Sequence, residues 1–172
     1  YGGGTNVNTG KLTFSGVQLP TGTATISANA TLEVVVNSGI LQQSNVITVA
    51  GSGTFLKTGA GNYQAYQWSG TTPKILFNMS GGLIDIQAGK LGSTQWALHF
   101  ASTNSASLNI ASVASMDFDG AAGSNTGKVY VEALTGSGSL NSPFSNAILY
   151  IGQNGGSGTW SGTISSATGG GG

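Results

Sequence analysis

An all-β chain wound as a single-stranded parallel β-helix, a β-solenoid of stacked coils, is the fold class this sequence predicts. Three observations lead there. No window of about twelve residues combines helix caps, a 3.6-residue apolar rhythm and freedom from glycine. Short apolar segments rich in β-branched and aromatic residues recur instead, each bounded by Gly, Ser, Asn or Thr. Several of their boundary motifs also return later in the chain in the same order, which marks a repeat architecture.

The strand candidates run in order as Leu12–Phe14, Leu32–Val36, Val46–Val49, Phe55–Leu56, Ile75–Phe77 and Leu83–Ile86. They continue as Trp96–Phe100, Leu108–Ile110, Met116–Phe118, Val129–Val131 and Ile148–Ile151. Alternation sets their faces: Ile84 and Ile86 point inward with Asp85 outward, and Trp96, Leu98 and Phe100 point inward with His99 outward.

The repeat is read from paired stretches. "ANATLEV" at 28–34 matches "SVASMDF" at 112–118 at an offset of 84, and Ile26 with Ile110 keeps that offset. "GSGTF" at 51–55 matches "GSGSL" at 136–140 at 85, and "VNTGKL" at 7–12 matches "IQAGKL" at 86–91 at 79. "WSGT" at 68–71 returns at 160–163, an offset of 92. The glycine-rich "GSGTFLKTGAG" at 51–61 is therefore a repeat element, with glycine at sharp corners, and not a linker. One domain over 1–172 follows, made of two imperfect repeats at about 1–79 and 80–172.

Units with a few short strands bury an apolar face only by stacking. A β-sandwich explains the strands equally well but not the ordered repeat. At twenty-odd residues per coil the chain makes roughly seven or eight coils. The ends carry a further regularity. Trp68 precedes Gly89 of "GKL" by 21 residues, and Trp160 would precede Gly10 of a following copy by 22. The chain therefore reads as a segment of a longer array or as a unit stacking head to tail. It begins at Tyr1 with no visible signal peptide, as a processed or excised segment would.

"VNTGKLTFSG", "GSGTFLKTGAG" and "ALTGSGSL…GSGTWSGTIS" resemble the autotransporter-associated β-strand repeats of large secreted bacterial passenger-type proteins. The opening "YGGGTNVNTGKL" resembles their recurring coil start. The resemblance implies a right-handed β-helix on an exported protein, placed outside the cell or on the bacterial surface. One departure is "NYQAYQWSG" after "KTGAG", which inserts Tyr63, Tyr66 and Trp68 where the family continues with a plain strand.

Composition narrows the function classes. Gly, Ser, Thr and Asn make up close to half the chain, with five Lys, no Arg, five acidic residues and no net charge. That leaves no basic cluster for nucleic acid or an anionic membrane, and no apolar run long enough to span a bilayer. The absence of Cys removes disulfides and thiolate sites. Low charge provides little repulsion between copies, which suits a chain that assembles.

Catalytic candidates are sparse. His99 is the one histidine, no G-x-S-x-G elbow is present, and the scattered carboxylates do not form a glycosidase pair. The expectation is a protein that is not an enzyme and takes no cofactor. Asp117 and Asp119 place two hard ligands together, too few for Ca²⁺ by themselves, and Glu33 aligns with Asp117 as a solvated outward position. Thr21, Thr23, Thr25 and Thr31 form a hydroxylated strand face that the rest of the chain does not repeat. The leading expectation is a structural fibre, stalk or matrix module whose partners are copies of itself. Its junction falls at residues 1–10 and 163–172, including Tyr1, Gly2, Gly3, Gly4, Ile164, Gly169, Gly170, Gly171 and Gly172. The alternative is an adhesin that grips surface glycans through Tyr63, Tyr66 and Trp68, residues that otherwise cover a loop or meet a neighbouring chain.

Overall fold

Alternating small polar and apolar residues, broken by glycine every few positions, build short strands that turn a corner and return one layer higher. The computed structural model describes residues 3–66, 72–94, 98–118, 128–142 and 148–166. Among them there are strands and turns but no helix. The first coil holds β1 (Thr5–Val7) and β2 (Gly10–Ser15). The second holds β3 (Gly22–Ile26), β4 (Ala30–Val35) and β5 (Ile40–Gln43). The third holds β6 (Ile47–Gly51), β7 (Thr54–Thr58) and β8 (Asn62–Tyr66). Above it lie β9 (Ile75–Met79), β10 (Leu83–Ile86) and β11 (Gly89–Thr94). Next come β12 (Leu98–Phe100), β13 (Ser107–Ile110) and β14 (Ala114–Asp117), then β15 (Lys128–Val131), β16 (Leu134–Gly136) and β17 (Ser139–Ser142). The last coil holds β18 (Ile148–Ile151) and β19 (Thr163–Ser166).

Every strand pairing is parallel, and the strands sort into three walls. The first wall runs β1-β3-β6-β9-β12, with β15 and β18 continuing beside β12. The second runs β2-β4-β7-β10-β13-β16, with Trp160 bridging to Gly136 above it. The third runs β5-β8-β11-β14-β17-β19. The result is a β-solenoid of about six turns, with five coils of three strands between a first and a last coil that hold two each, against the seven or eight coils expected. The shortfall comes from the incomplete first and last coils, since the full coils keep twenty-odd residues each. Successive partners Leu12, Leu32, Phe55, Ile84, Leu108 and Leu134 lie 20, 23, 29, 24 and 26 residues apart.

The interior is a set of vertical columns. On the second wall Leu32, Phe55, Ile84, Leu108 and Leu134 stack in register, and on the third Tyr63, Leu91, Met116 and Leu140 do so. All nine are buried. Phe55 meets Phe77 edge-on at 5.1 Å, and Phe77 meets Phe100 at 5.2 Å, so aromatic rings fill the axis at mid-height.

The matched sequence stretches occupy matched places, one wall apart. Gly10-Lys11-Leu12 lies under Ala30-Thr31-Leu32, and Leu32 lies under Phe55, all on the second wall. Gly89-Lys90-Leu91 lies under Ala114-Ser115-Met116, and Met116 under Leu140, all on the third. The offsets of 79, 84 and 85 drift because the intervening coils differ in length. The corners agree as well. Ser52 and Gly53 N–H donate to the Ile26 carbonyl at 2.9 and 3.0 Å, and Ser137 and Gly138 donate to that of Ile110 at 3.1 and 3.0 Å. Glycine is required there. Gly51 and Gly136 have φ of 98° and 102°, and a Cβ on either would sit 2.1 Å from the Ile26 or Ile110 carbonyl oxygen.

Candidate assembly interface

Since the interior consists of columns, its ends are where apolar side chains meet solvent. Leu12 is the lowest member of its column and is 37% exposed, whereas Leu32 directly above it is 0% exposed. At the other end Ile164 stands on fully buried Leu140 and is 55% exposed, and Ile151 stands on Val131 and is 48% exposed. β5 closes the third wall at its lower edge and β19 at its upper edge, so each offers a row of backbone groups with no strand beyond it.

The lower end is partly finished by side chains. The first coil has no strand on the third wall; residues 17–20 pass there instead. Leu19 is fully buried, and the Gln43 amide takes both of its backbone groups: Leu19 N–H donates to Gln43 Oε1 at 2.8 Å and Gln43 Nε2 donates to the Leu19 carbonyl at 3.0 Å. A side-chain amide thus does what a neighbouring strand would do. Gln43 Oε1 also accepts from the Tyr63 hydroxyl at 2.8 Å. Between residues 15–16 and β5 a cleft of about 250 Å³ remains, lined by Ser15, Gly16, Val36, Ile40 and Leu41 among others.

Of the expected junction residues, Gly3, Gly4 and Ile164 are described; Tyr1, Gly2, Gly169, Gly170, Gly171 and Gly172 lie outside the described residues. Gly4 lies just before β1, its Cβ position 3.0 Å from the Thr23 carbonyl oxygen, which fits a chain entering tightly beneath β3. Chain phase connects the two ends. β1 begins on the first wall and β19 ends on the third, which is the order of every internal coil. Five internal connections from third wall to first leave 3, 8, 3, 10 and 5 residues between strands.

The aromatic reading needs correction. "NYQAYQWSG" is no inserted platform: its first part is β8, and Tyr63 is a core rung between Leu41 and Leu91, fully buried. Burial pushes its phenol well above the ordinary value. Tyr66 is half-buried at the end of β8, and Trp68 lies outside the described residues. A stacked aromatic pair does stand on an outward face, at Tyr130 and Tyr150, with ring centroids 4.7 Å apart and planes 5° from parallel.

The outward carboxylates are engaged by neighbours one rung away. Glu33 is not a solvated position: it is 8% exposed and accepts from Thr13 at 3.0 Å, Thr58 at 2.9 Å and Lys11 at 3.1 Å. Burial raises its pKa, but the hydrogen bonds from Lys11, Thr58 and Thr13 together with the lysine charge outweigh that and hold the carboxyl below its ordinary value. Asp117 pairs likewise with Lys90 and accepts from Asn141 Nδ2 at 3.2 Å. Its candidate calcium partner Asp119 lies outside the described residues, and among those described no group of three or more His, Cys, Asp or Glu side chains is gathered. His99 takes an outward position on β12, opposite Leu76.

Two further buried polar residues, beside Gln43, went unread in the sequence. Lys57 occupies an inward position between Val34 and Ile86, and its Nζ donates to the carbonyls of Gly59, Gly61 and Ala88 at 2.6, 2.5 and 2.8 Å. It thereby ties the corners of two successive coils. Desolvation pushes its pKa down to about 8. Asn104 accepts from Met79 N–H at 3.0 Å and donates to the Tyr130 carbonyl at 2.7 Å, joining three coils. The signal for Lys57 was present in "TFLKTGAG", where strict alternation from Phe55 puts Lys57 inside; for Asn104 none is visible. Comparison with protein-family models, curated proteins and solved structures finds no match to this chain.

Proposed function

We propose that this chain is a structural module of an extracellular or cell-surface bacterial fibre, stalk or matrix, and that it works by continuing its coils end to end. The observation that carries the reading is the pair of open ends. Core columns that are fully buried at mid-height finish in exposed Leu12 below and in exposed Ile151 and Ile164 above. Covering them returns apolar surface from water at about 25 cal/mol per Å². Each internal coil runs from the first wall to the third, so a copy whose first strand lies on the first wall above β18 keeps the same strand order. A head-to-tail contact of this kind does not close on itself and gives an open filament. Near-zero net charge removes a barrier to it.

The role is mechanical and not catalytic. The resemblance to passenger-type repeats supports the location. Glycan binding draws no support from the aromatic trio, because Tyr63 belongs to the core. Negative-stain electron microscopy over a concentration series tests the reading. The expected result is unbranched filaments of solenoid width whose length grows with concentration. Compact single particles at every concentration contradict it.

A further inference from the structure

We propose that Asn154-Gly155 is a self-modifying site of this chain, an asparagine set to deamidate, and that the Glu132 carboxylate one coil below is the latch that restrains it. The inference stands apart from the end-to-end reading, because it concerns one corner of one chain.

The reactive element is written in the sequence. Of the chain's asparagines only Asn154 precedes a glycine. Attack of the following backbone nitrogen on an asparagine Cγ closes a five-membered ring, and glycine, having no Cβ, hinders that closure least. The pair stands on the corner after β18, exposed to water, and nothing lies within 4 Å of the place a Cβ of Gly155 would take. The fold nevertheless holds both reacting groups. Asn154 Nδ2 donates to Glu132 Oε2 at 2.8 Å, and the Asn154 N–H donates to the same oxygen at 3.2 Å. Gly156 N–H donates to Glu132 Oε1. The Gly155 N–H, whose nitrogen must attack, donates to the Gly152 carbonyl at 3.0 Å. The backbone is fitted to this carboxylate: a Cβ on Gly156 would lie 2.6 Å from both Glu132 Cγ and Oε1.

The reaction needs only water and a solvent base. The base takes the proton of the Gly155 N–H, and that nitrogen adds to Asn154 Cγ. The new C–N bond replaces the Cγ–Nδ2 bond, and Nδ2 takes a proton and leaves as ammonia, which gives a cyclic imide. Water then opens the ring at one carbonyl or the other to give aspartate or isoaspartate; nothing is oxidised or reduced. Ring closure requires Cγ to swing toward the Gly155 nitrogen, which pulls Nδ2 away from a charged acceptor, the stronger kind of hydrogen bond. Glu132 therefore slows the step in the folded chain. After the step a second carboxylate faces Glu132 where a donor stood, and like-charge repulsion pushes the corner away. The change is a one-way release of the corner that leads on to Trp160 and β19.

Peptide mapping by mass spectrometry during incubation at mildly alkaline pH tests the proposal on the folded chain, the same chain in denaturant, and folded Glu132→Ala. In denaturant Asn154 is expected to convert ahead of every other asparagine. In the folded chain it is expected to convert at least about ten-fold more slowly, and Glu132→Ala to recover most of that difference. Should Glu132→Ala fail to fold, Glu132→Gln, which keeps the shape and one acceptor oxygen, is read in its place with a smaller acceleration expected. Asn154→Asp stands in for the product, and hydrogen exchange of its Gly156 amide is expected to quicken at least about ten-fold while that of Ile84 in the core is unchanged. Another asparagine converting first in denaturant overturns the site. Equal rates in the folded chain and in denaturant, or with and without the Glu132 carboxylate, overturn the latch, and unchanged Gly156 exchange overturns the release.

Discussion

The second wall at residues 10–12, 30–33 and 51–57 and the third wall at residues 89–91, 114–117 and 136–142 are the same local object in two settings. Each has a Gly-Lys-Leu rung, a small-residue rung bearing an acid, and a Gly-Ser-Gly corner above it. In each the lysine reaches up one rung to the acid, Lys11 to Glu33 and Lys90 to Asp117. The settings differ in what lies underneath. Leu91 rests on Tyr63 and is fully buried; Leu12 has no strand partner below it among the described residues and is 37% exposed. The third-wall copy therefore shows what the second-wall copy lacks, one further rung below. A second difference lies in the interior, where Phe55 and Lys57 in one copy stand against Leu140 and Ser142 in the other. Corner and backbone code carry over between walls, while the inward side chains are fitted to the local width of the core.

Breaking the shared corner should have the largest effect. Gly51→Ala and Gly136→Ala each drive a Cβ into a backbone carbonyl at positive φ, and each is expected to destabilise by about 3 kcal/mol or more. Denaturant titration of the two side by side checks the equivalence; a large loss at one corner and none at the other would show that the corners are not alike. Truncating the inward residues comes next. Phe55→Ala is expected to cost about 3–5 kcal/mol, and Leu140→Ala, nearer the open upper end, about 2–3 kcal/mol.

Lys57 sharpens the contrast further. Lys57→Met leaves three carbonyls without their donor and is expected to cost about 2 kcal/mol near neutral pH. The folded pKa of about 8 lies below the ordinary 10.5, so the unfolded chain binds this proton more tightly between those values. Stability is then expected to rise with pH across that window, and the Lys57→Met chain to lose the rise. Glu33 has the smallest effect. Its carboxyl is held below the ordinary 4.5, so its contribution is present above that pH and fades as pH falls through the folded value. Glu33→Gln is expected to flatten that acid limb while costing under about 1 kcal/mol at pH 7.

Much of this fold was legible because a solenoid repeats its reasons. Leu32, Phe55, Ile84 and Leu108 each sit in an apolar run between breakers, and the ordered motifs required stacked units and not a sandwich. The strands that escaped notice, among them β1, β5, β11, β17 and β19, each set only one or two apolar residues among Thr, Asn, Gln, Ser, Gly or Lys. They hold their places through ladder hydrogen bonds to the neighbouring coils, a non-local cause with only a weak local apolar signature. Tyr63 was misplaced for a related reason: an aromatic between polar residues looks like an exposed ring until register puts it between Leu41 and Leu91. The Gln43 amide standing in for a strand, and the cleft beside it, follow from three-dimensional neighbours twenty-odd residues apart and leave no local mark in the sequence.

Sedimentation velocity across a wide concentration range, repeated at low and high salt, addresses the central claim most directly. With apolar columns uncovered at both ends, the mean mass should climb continuously with concentration, pass through no preferred dimer, and change little with salt. A mass that stays at one chain throughout, or halts at a closed dimer, would contradict the account.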